Sequence, residues 1–187
     1  MLNDMKIEVY SKVLCRDPKF TRFSDRDMAL IVEAGERYGE KMAEETAAKF
    51  GPPSGDAWVM ALPERLGCSV ELSTEHMPGR FAEYDGRKRL ISCFLSNIET
   101  AEELLEGSPF TGGYSLCSLC VAHECFHHLE ELYGRTPELA EIELPSLFGR
   151  RHYRPPCASE VAAHMFVQTL LSLPRSPAEI EAWCSKQ

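Results

Sequence analysis

Hydrophobic residues recur at steps of three and four between residues 24 and 50, which predicts a long helix with one buried face. Ser24 followed by Asp27 resembles a capping box and marks the first turn of this helix. The Gly-Pro-Pro-Ser-Gly segment at residues 51–55 ends it. The positions that repeat on the buried face are Met28, Ile31, Gly35, Tyr38, Met42 and Thr46.

A small sheet is predicted after this helix, because three short segments alternate between apolar and polar residues or are strongly apolar. Asp85-Gly86 is a hairpin signal between the second and third segments. The third segment is the most apolar and is predicted to be the central strand. The strands are expected at residues 68–72, 80–84 and 89–95, after a short helix at 56–66.

The second half of the chain is predicted to be helical around one irregular segment. Residues 115–132 contain neither Pro nor Gly and are mostly apolar, so they form a helix. Asn97 is expected to cap a shorter helix over residues 100–105. Residues 135–157 contain several Pro and Gly and are expected to be irregular, and therefore functional or mobile. Helices are expected again at 158–173 and after Ser176.

These elements predict one α+β domain over residues 1–187, mainly helical, with a small three-stranded sheet packed on the 115–132 helix. Within it we expect the long N-terminal helix at 24–50, the core at 55–174 and a C-terminal helix at 175–187.

The 115–132 helix carries the motif His123-Glu124-x-x-His127. Residues four apart share one face of a helix, so both imidazoles can reach one metal ion at about 2.0–2.1 Å. Glu124 lies beside the ion and can take a proton from a water bound to it. An apolar helix seldom carries two histidines and a glutamate on one turn without partners. We therefore predict a metal site rather than core histidines.

A third ligand must come from elsewhere, because catalytic zinc usually has three protein ligands. Glu130 and Glu131 lie about a turn past His127, where we expect exposed side chains. Glu160 and His164 lie four residues apart on a second apolar helix, which indicates a polar face turned towards the metal. We predict Glu160 as the third ligand, with His164 as a supporting group or an alternative ligand. The downstream candidates are Glu130, Glu131, Glu138, Glu141, Glu143, His152, Glu160 and His164.

Residues 122–127 and 159–174 together resemble the ImmA/IrrE family of metallopeptidases. In that family His-Glu-x-x-His is followed by a helix that reads roughly Glu-x-x-Ala-Asn/Asp-x-Phe-Ala…Leu-Leu-Met-Pro. The resemblance covers about residues 55–174, and it departs from the family at His164, where an acid or amide is expected, and at Val167. The matching positions are Glu160, Ala163, Phe166, Leu170, Leu171 and Pro174.

The resemblance implies a zincin-like fold of the gluzincin kind, one zinc ion, and hydrolysis of peptide bonds in protein partners, often repressors. Glu124 would be the general base of this reaction. A donor to the developing oxyanion is also needed. His152, Tyr153 and Arg154 precede the Glu160 helix and are candidates, although each is more simply a surface loop residue.

Two other functions fit the same residues. One is a regulatory or interaction protein that binds the metal on this scaffold without general proteolysis. The other is a thiol redox sensor that uses Cys117, Cys120 and Cys125. Cys117 and Cys120 are more simply two helix positions three apart, and Cys120 is a minor candidate for the metal because it precedes His123 by three residues.

The net charge of the chain limits the classes of partner that we expect. The chain has 20 Lys and Arg against 29 Asp and Glu, a net charge of −9, which argues against nucleic acid or an anionic membrane as the main partner. A local basic patch around Arg150, Arg151 and Arg154 is compatible with this charge. No apolar run approaches the roughly 20 residues of a membrane span, and residues 1–6 lack a signal-peptide core. We expect a cytoplasmic protein with reduced cysteines and a protein or peptide substrate.

Overall fold

The fold is α+β and mainly helical, which confirms the class predicted from the sequence. The computed structural model describes residues 7–105, 111–147 and 149–184. Among these residues no helix has the length and apolar character needed to cross a membrane. The α-helices include Ser11–Cys15, Asp25–Phe50, Asp56–Leu66, Leu95–Leu104, Leu116–Tyr133, Thr136–Leu139, Cys157–Leu170 and Pro177–Cys184, with a 3-10 turn at Phe20–Arg22.

The long helix, Asp25–Phe50, begins and ends as its sequence predicts. Ser24 Oγ accepts a hydrogen bond from Asp27 N at 3.2 Å, and the Asp27 carboxylate accepts one from Ser24 N at 2.9 Å. This reciprocal pair is a capping box, which satisfies two backbone N–H groups that the first turn leaves without helical partners. Gly51 follows the last residue with a φ of 83°, a conformation that glycine adopts without strain.

A mixed three-stranded sheet consists of β1 (Ser69–Ser73), β2 (Ala82–Asp85) and β3 (Leu90–Phe94) in the order β1-β3-β2. The prediction that the third strand is central is confirmed. β3 pairs in parallel with β1 and antiparallel with β2, and the β2–β3 hairpin turns at Asp85 as expected. The sheet packs on Leu116–Tyr133, the motif helix, through β2 and β3.

Residues 135–157 are not irregular, so that prediction is wrong. They form the short helix Thr136–Leu139 and a two-stranded sheet of β4 (Ile142–Ser146) and β5 (Gly149–Tyr153). Ile142 and Leu144 alternate with exposed residues and lie in the core, which is the pattern of a half-buried strand. Pro145 is compatible with β4 because both strands of a two-stranded sheet are edge strands. An edge strand tolerates a residue that lacks a backbone N–H.

Asn97 does not cap a helix at residues 100–105, which corrects a second prediction. The helix already begins at Leu95, directly after β3. Asn97 Nδ2 instead donates to the backbone oxygens of Met77 and Arg80, at 2.5 Å and 2.7 Å. Its amide therefore holds the segment that leads into β2.

Cys157–Leu170, the Glu160 helix, joins the two hydrophobic clusters of the core. Ala162, Phe166 and Val167 belong to the larger cluster, with the sheet and the motif helix. Ala158 and Val161 belong to the smaller cluster, with the long helix and β4. Burial on both sides fixes the position and rotation of this helix, and hence the direction in which Glu160 projects.

Two glycines let the long helix approach the Glu160 helix closely. A Cβ atom at Gly35 would lie 2.7 Å from Val161 Cγ1. A Cβ atom at Gly39 would meet the carbonyl oxygen of Ala162 and would lie 2.9 Å from Phe166 N. Since backbone atoms cannot move aside as a flexible side chain can, Gly39 sets the distance between these helices.

Gly39→Ala is therefore expected to lower the free energy of unfolding by about 1–3 kcal/mol, the usual effect of overpacking. Alanine favours helix over glycine by about 1 kcal/mol, so a net loss of stability must come from the contact with the Glu160 helix. Urea unfolding of both proteins measures the difference.

The matched control is Glu40→Ala, because Glu40 is the next residue and is exposed. We expect its free energy of unfolding to stay within about 0.5 kcal/mol of the wild type. A Gly39→Ala protein as stable as the wild type would contradict the close approach of the two helices.

Candidate metal centre

His123, His127 and Glu160 bring three ligand atoms together between the motif helix and the Glu160 helix. His123 Nε2 lies 3.2 Å from His127 Nε2 and 3.2 Å from Glu160 Oε2. Glu160 Oε1 lies 3.4 Å from His127 Nε2. Among the described residues, these three form the one group of three such side chains whose ligand atoms all lie within 4.8 Å. The triad could therefore hold a metal ion.

The spacing is compatible with a tetrahedral metal ion such as zinc. Ligand atoms 2.0–2.1 Å from a tetrahedral zinc ion lie about 3.3 Å from one another, close to the three distances in the triad. Two imidazoles and one carboxylate are also a donor set that catalytic zinc accepts. The Glu160 side chain is 42% exposed, whereas those of His123 and His127 are 16% and 20% exposed. The site is thus open on the side of Glu160.

The local fold of the motif helix aims its histidines at this point. Ser115 caps the helix by accepting from Ser118 N at 3.2 Å, and Asp56 accepts from Ser115 N at 3.0 Å. The helix buries an apolar stripe that includes Ala122 and Phe126. With both its start and this face fixed, the helix presents His123 and His127 to the Glu160 helix.

The charges of the site favour a cation between the three side chains. Burial lowers the pKa of His127, but the hydrogen bond to Glu130 and the charges of Glu160 and Glu124 outweigh it and raise this pKa to about 9. The same balance, with Glu160 as hydrogen-bond partner, raises the pKa of His123. Burial raises the pKa of Glu160, but its contact with His123 holds the pKa well below its usual range. A metal ion would take the place of these protons.

Glu130 is buried, so the prediction that it would be exposed is wrong. Its carboxylate lies 3.5 Å from His127 Nδ1 and accepts from Thr136 N at 2.7 Å, from Thr136 Oγ1, and from Ser159 Oγ at 2.7 Å. Burial raises the pKa of Glu130, but these hydrogen bonds outweigh it and keep the carboxylate ionised. A carboxylate behind a ligand histidine fixes its ring and tautomer and makes it a better donor to the metal.

The sequence carried a signal for Glu130 that the prediction did not use. Glu130 follows His127 by three residues, and residues three apart are neighbours on a helix surface. Glu131, the next residue, is exposed as predicted. The difference lies in the donors: Thr136, just after the motif helix, and Ser159, on the Glu160 helix, make burial of the Glu130 carboxylate favourable.

Tyr84 on β2 is a residue of the site that sequence reasoning missed. Its hydroxyl lies 2.7 Å from His128 Nδ1 and donates to Glu131 Oε2 at 3.0 Å, while His128 Nε2 donates to the carbonyl oxygen of Leu66 at 3.2 Å. Burial and then the bond to Glu131 raise the pKa of Tyr84. Sequence alone could not place Tyr84 here, because its position depends on how the sheet packs on the motif helix.

A cleft runs past the open side of the triad. Tyr84, Arg135 and Arg154 lie along it together with His127 and Glu160. The remaining residues along this cleft are Glu130, Glu131, Pro137, Glu138, Pro156 and Ser159.

Of the three predicted oxyanion donors, only Arg154 lies along this cleft. Its guanidinium pairs with Glu141 at 2.9 Å. His152 points to a different groove and pairs with Glu141 at 2.9 Å. The Tyr153 hydroxyl donates to Asp17 at 2.7 Å, on the side of the smaller core cluster. Successive side chains of a strand point to opposite faces, which explains why Tyr153 points away from Glu141 while His152 and Arg154 both contact it.

His164 is buried, with 3% of its surface exposed, and lies edge-on against the ring of His123 at 4.9 Å between ring centres. Burial, and then the charge of His123, lower the pKa of His164 to about 3, so the ring is neutral at pH 7. Its nitrogens are not among the atoms that converge in the triad, nor is the thiol of Cys120. His164 therefore supports the position of the His123 ring by packing.

Glu124 is nearly buried, with 9% of its surface exposed, on the turn between the two histidines. Its charge raises the pKa of both His123 and His127, so the carboxylate lies near both rings. It is not among the ligand atoms that converge in the triad.

Comparisons of the chain with models of protein families, with curated proteins and with solved structures gave no match. The resemblance to the ImmA/IrrE family therefore stays a prediction from the two helical motifs. The triad does not depend on that resemblance, because its geometry follows from the packing of this chain.

Glu130→Ala is expected to weaken zinc binding by about 10- to 100-fold, the usual effect of removing a group that orients a ligand histidine. The variant frees the His127 ring and also leaves Thr136 N without its acceptor. Competition with a chromophoric zinc chelator measures the affinity.

Glu131→Ala is the matched control, since it removes the neighbouring carboxylate of the same helix without touching His127. Its zinc affinity should equal that of the wild type. Equal affinities for wild type and Glu130→Ala would show that Glu130 does not position His127.

Proposed function

We propose that the chain is a zinc-dependent metallopeptidase of the ImmA/IrrE kind with a zincin-like fold. The observation that carries this proposal is the triad of His123, His127 and Glu160, with the spacing of tetrahedral zinc ligands and with Glu124 beside it. Zinc bound by these residues would polarise a peptide carbonyl and lower the pKa of a water molecule towards about 7.

Glu124 is the general base in this proposal. Its carboxylate takes a proton from the attacking water and later delivers it to the nitrogen of the leaving amine. Its low exposure supports this role, because a carboxylate shielded from bulk water returns the proton to the substrate rather than to solvent. Glu130 contributes by holding His127, and it does not need to touch the substrate.

An extended peptide suits the cleft. β2 is an edge strand, and Tyr84 of this strand lies along the cleft. An edge strand offers backbone N–H and C=O groups to a second extended chain, so a substrate can bind by adding a strand to the sheet. This arrangement would hold the peptide backbone beside the open side of the triad.

Two guanidinium groups along the cleft differ in their availability. Arg154 is engaged by Glu141, whereas Arg135 is exposed and makes no ion pair within the part of the chain that the structure describes. A guanidinium without a carboxylate partner is available to a carbonyl or carboxylate oxygen of the substrate. Arg135 is thus better placed than Arg154, the predicted residue, to bind the peptide.

Glu124→Gln is expected to retain zinc and to lower peptide hydrolysis by at least about 100-fold, because the amide cannot take the proton of the attacking water. Zinc content is measured by elemental analysis. Hydrolysis is measured on a quenched-fluorescent peptide library with each protein loaded with one equivalent of zinc.

The control is Glu103→Gln, which makes the same chemical change at an exposed position of another helix. It should hydrolyse peptides at the wild-type rate. Unchanged turnover by Glu124→Gln would refute the mechanism. A wild-type protein that binds zinc but hydrolyses no peptide of the library would favour the metal-binding regulator instead.

A further inference from the structure

A basic groove lies between the 3-10 turn Phe20–Arg22 and the β4–β5 hairpin. Lys19 and Arg22 line it from the turn, and Arg151 lines it from β5. Arg22 also donates to the carbonyl oxygen of Pro145, which holds the turn against β4. The groove has a volume of about 350 Å³, and none of the described residues along it is an aspartate or a glutamate. It is a positively charged surface on a chain whose net charge is −9.

The groove is separate from the cleft beside the metal centre and differs from it in charge. That cleft carries Glu130, Glu131, Glu138 and Glu160 together with two arginines. Within the described part of the chain, no residue lines both surfaces. Binding in the groove therefore requires neither zinc nor peptide hydrolysis.

The three arginines that the sequence suggested as a basic patch do not share one environment. Arg150 Nε lies 3.2 Å from Glu143 Oε2, and Arg154 Nε lies 2.9 Å from Glu141 Oε2. Arg151 is exposed and makes no ion pair with any residue that the structure describes. A guanidinium without a carboxylate partner keeps its N–H donors for a ligand. Arg151 is therefore the arginine of this patch that is available to an anion.

The register of the hairpin places Arg151 at the groove. Arg151 lies opposite Leu144, and directly opposite residues of an antiparallel pair have their side chains on the same face. Leu144 is buried in the smaller core cluster, so Arg151 extends over the face that packs on the domain. Arg150, the preceding residue, lies on the opposite face of β5 and does not line the groove.

Lys19 and Arg22 also keep donors for a ligand. Lys19 Nζ lies 4.4 Å from the centre of the Tyr153 ring, a cation–π contact that holds the side chain without neutralising its charge. Arg22 has further guanidinium N–H groups besides the one that binds Pro145. Because like charges repel, an anion between these two side chains and Arg151 would lower the energy of the arrangement.

Apolar surface beside these charges favours a peptide over other anions. Leu147 lies along the groove with Leu144 and Pro145, and it is 96% exposed. Burial of this side chain against a partner is favourable. A peptide supplies carboxylates and apolar side chains together. A nucleic acid would meet few cationic side chains here, and the net charge of −9 would repel its backbone.

We infer that this groove binds an acidic segment of a protein partner. Aspartate or glutamate side chains of the segment contact Arg151, Lys19 and Arg22, and a neighbouring apolar side chain packs on Leu147. Charge-assisted hydrogen bonds from the guanidinium groups orient the carboxylates. The complementary charge also speeds association, so the binding depends on salt.

The test measures binding of a fluorescein-labelled peptide, in which glutamates surround a central leucine, to the full-length protein by fluorescence anisotropy. A second peptide carries glutamine at every glutamate position. We expect the glutamate peptide to bind at least about 10-fold more tightly at low salt, and this difference to shrink as salt is added. Equal binding of the two peptides, or no binding of either, would overturn the inference.

Arg151→Glu should weaken binding of the glutamate peptide by about 10-fold or more, because it replaces an attraction by a repulsion. Lys19→Glu should weaken it as well, from the other side of the groove. Arg150→Glu is the matched control, since it makes the same change at the next residue, which is already paired with Glu143. Its affinity should stay within about threefold of the wild type. Equal weakening by Arg150→Glu and Arg151→Glu would show attraction to the whole hairpin and contradict a site in the groove.

Two further measurements separate the groove from other sites and other anions. The affinity for the glutamate peptide should be the same with zinc and after its removal by a chelator. Loss of binding without zinc would place the peptide at the metal centre and overturn the inference. Oligothymidylate should compete poorly, and competition equal to that of the peptide at the same concentration of charge would refute the assignment to an acidic protein segment.

Discussion

Partial burial of three polar ligand groups between apolar helices is the constraint on which the rest of this structure depends. His123, His127 and Glu160 project from faces that otherwise pack in the core. Polar groups in such surroundings are unfavourable unless each has a partner. The three side chains satisfy this requirement by converging on one point, where a bound cation would remove the remaining cost of bringing them together.

For the three ligands to converge, the Glu160 helix must be held in a fixed position by the elements that pack on its other side. The long helix supplies that support, because Gly35 and Gly39 allow backbone contact with the Glu160 helix. Glu130 supplies a second support through Thr136 and Ser159, which lie on either side of the β4–β5 hairpin. The hairpin is thus part of the scaffold that closes the site, and it also carries the chain from the motif helix to Glu160.

Much of this architecture was predictable because local sequence and tertiary structure agree. The capping box at Ser24, the Asp85 turn and the two helical motifs each have a local physical cause that the fold does not override. Glu160 could be chosen as a candidate ligand because a charged residue on an apolar helix needs a partner. Each of these features is determined within one helix or one turn, so the local sequence is enough to predict it.

The errors arose where burial is decided by residues from several elements. Glu130 looked exposed because the donors to its carboxylate, Thr136 and Ser159, lie outside the motif helix. The position of Tyr84 depends on how the sheet packs, which no local pattern encodes. The β4–β5 hairpin was missed because Pro145 and Gly149 outweighed the alternation of Ile142 and Leu144 in the prediction.

The most direct test of the account is elemental analysis of the purified wild-type protein beside Glu160→Ala after equilibration with the same free zinc concentration. The account predicts one zinc ion per chain in the wild type and a large loss of zinc in the variant, with the helical circular dichroism of both proteins unchanged. Equal zinc content in the two proteins would contradict the central claim that Glu160 completes the site of His123 and His127.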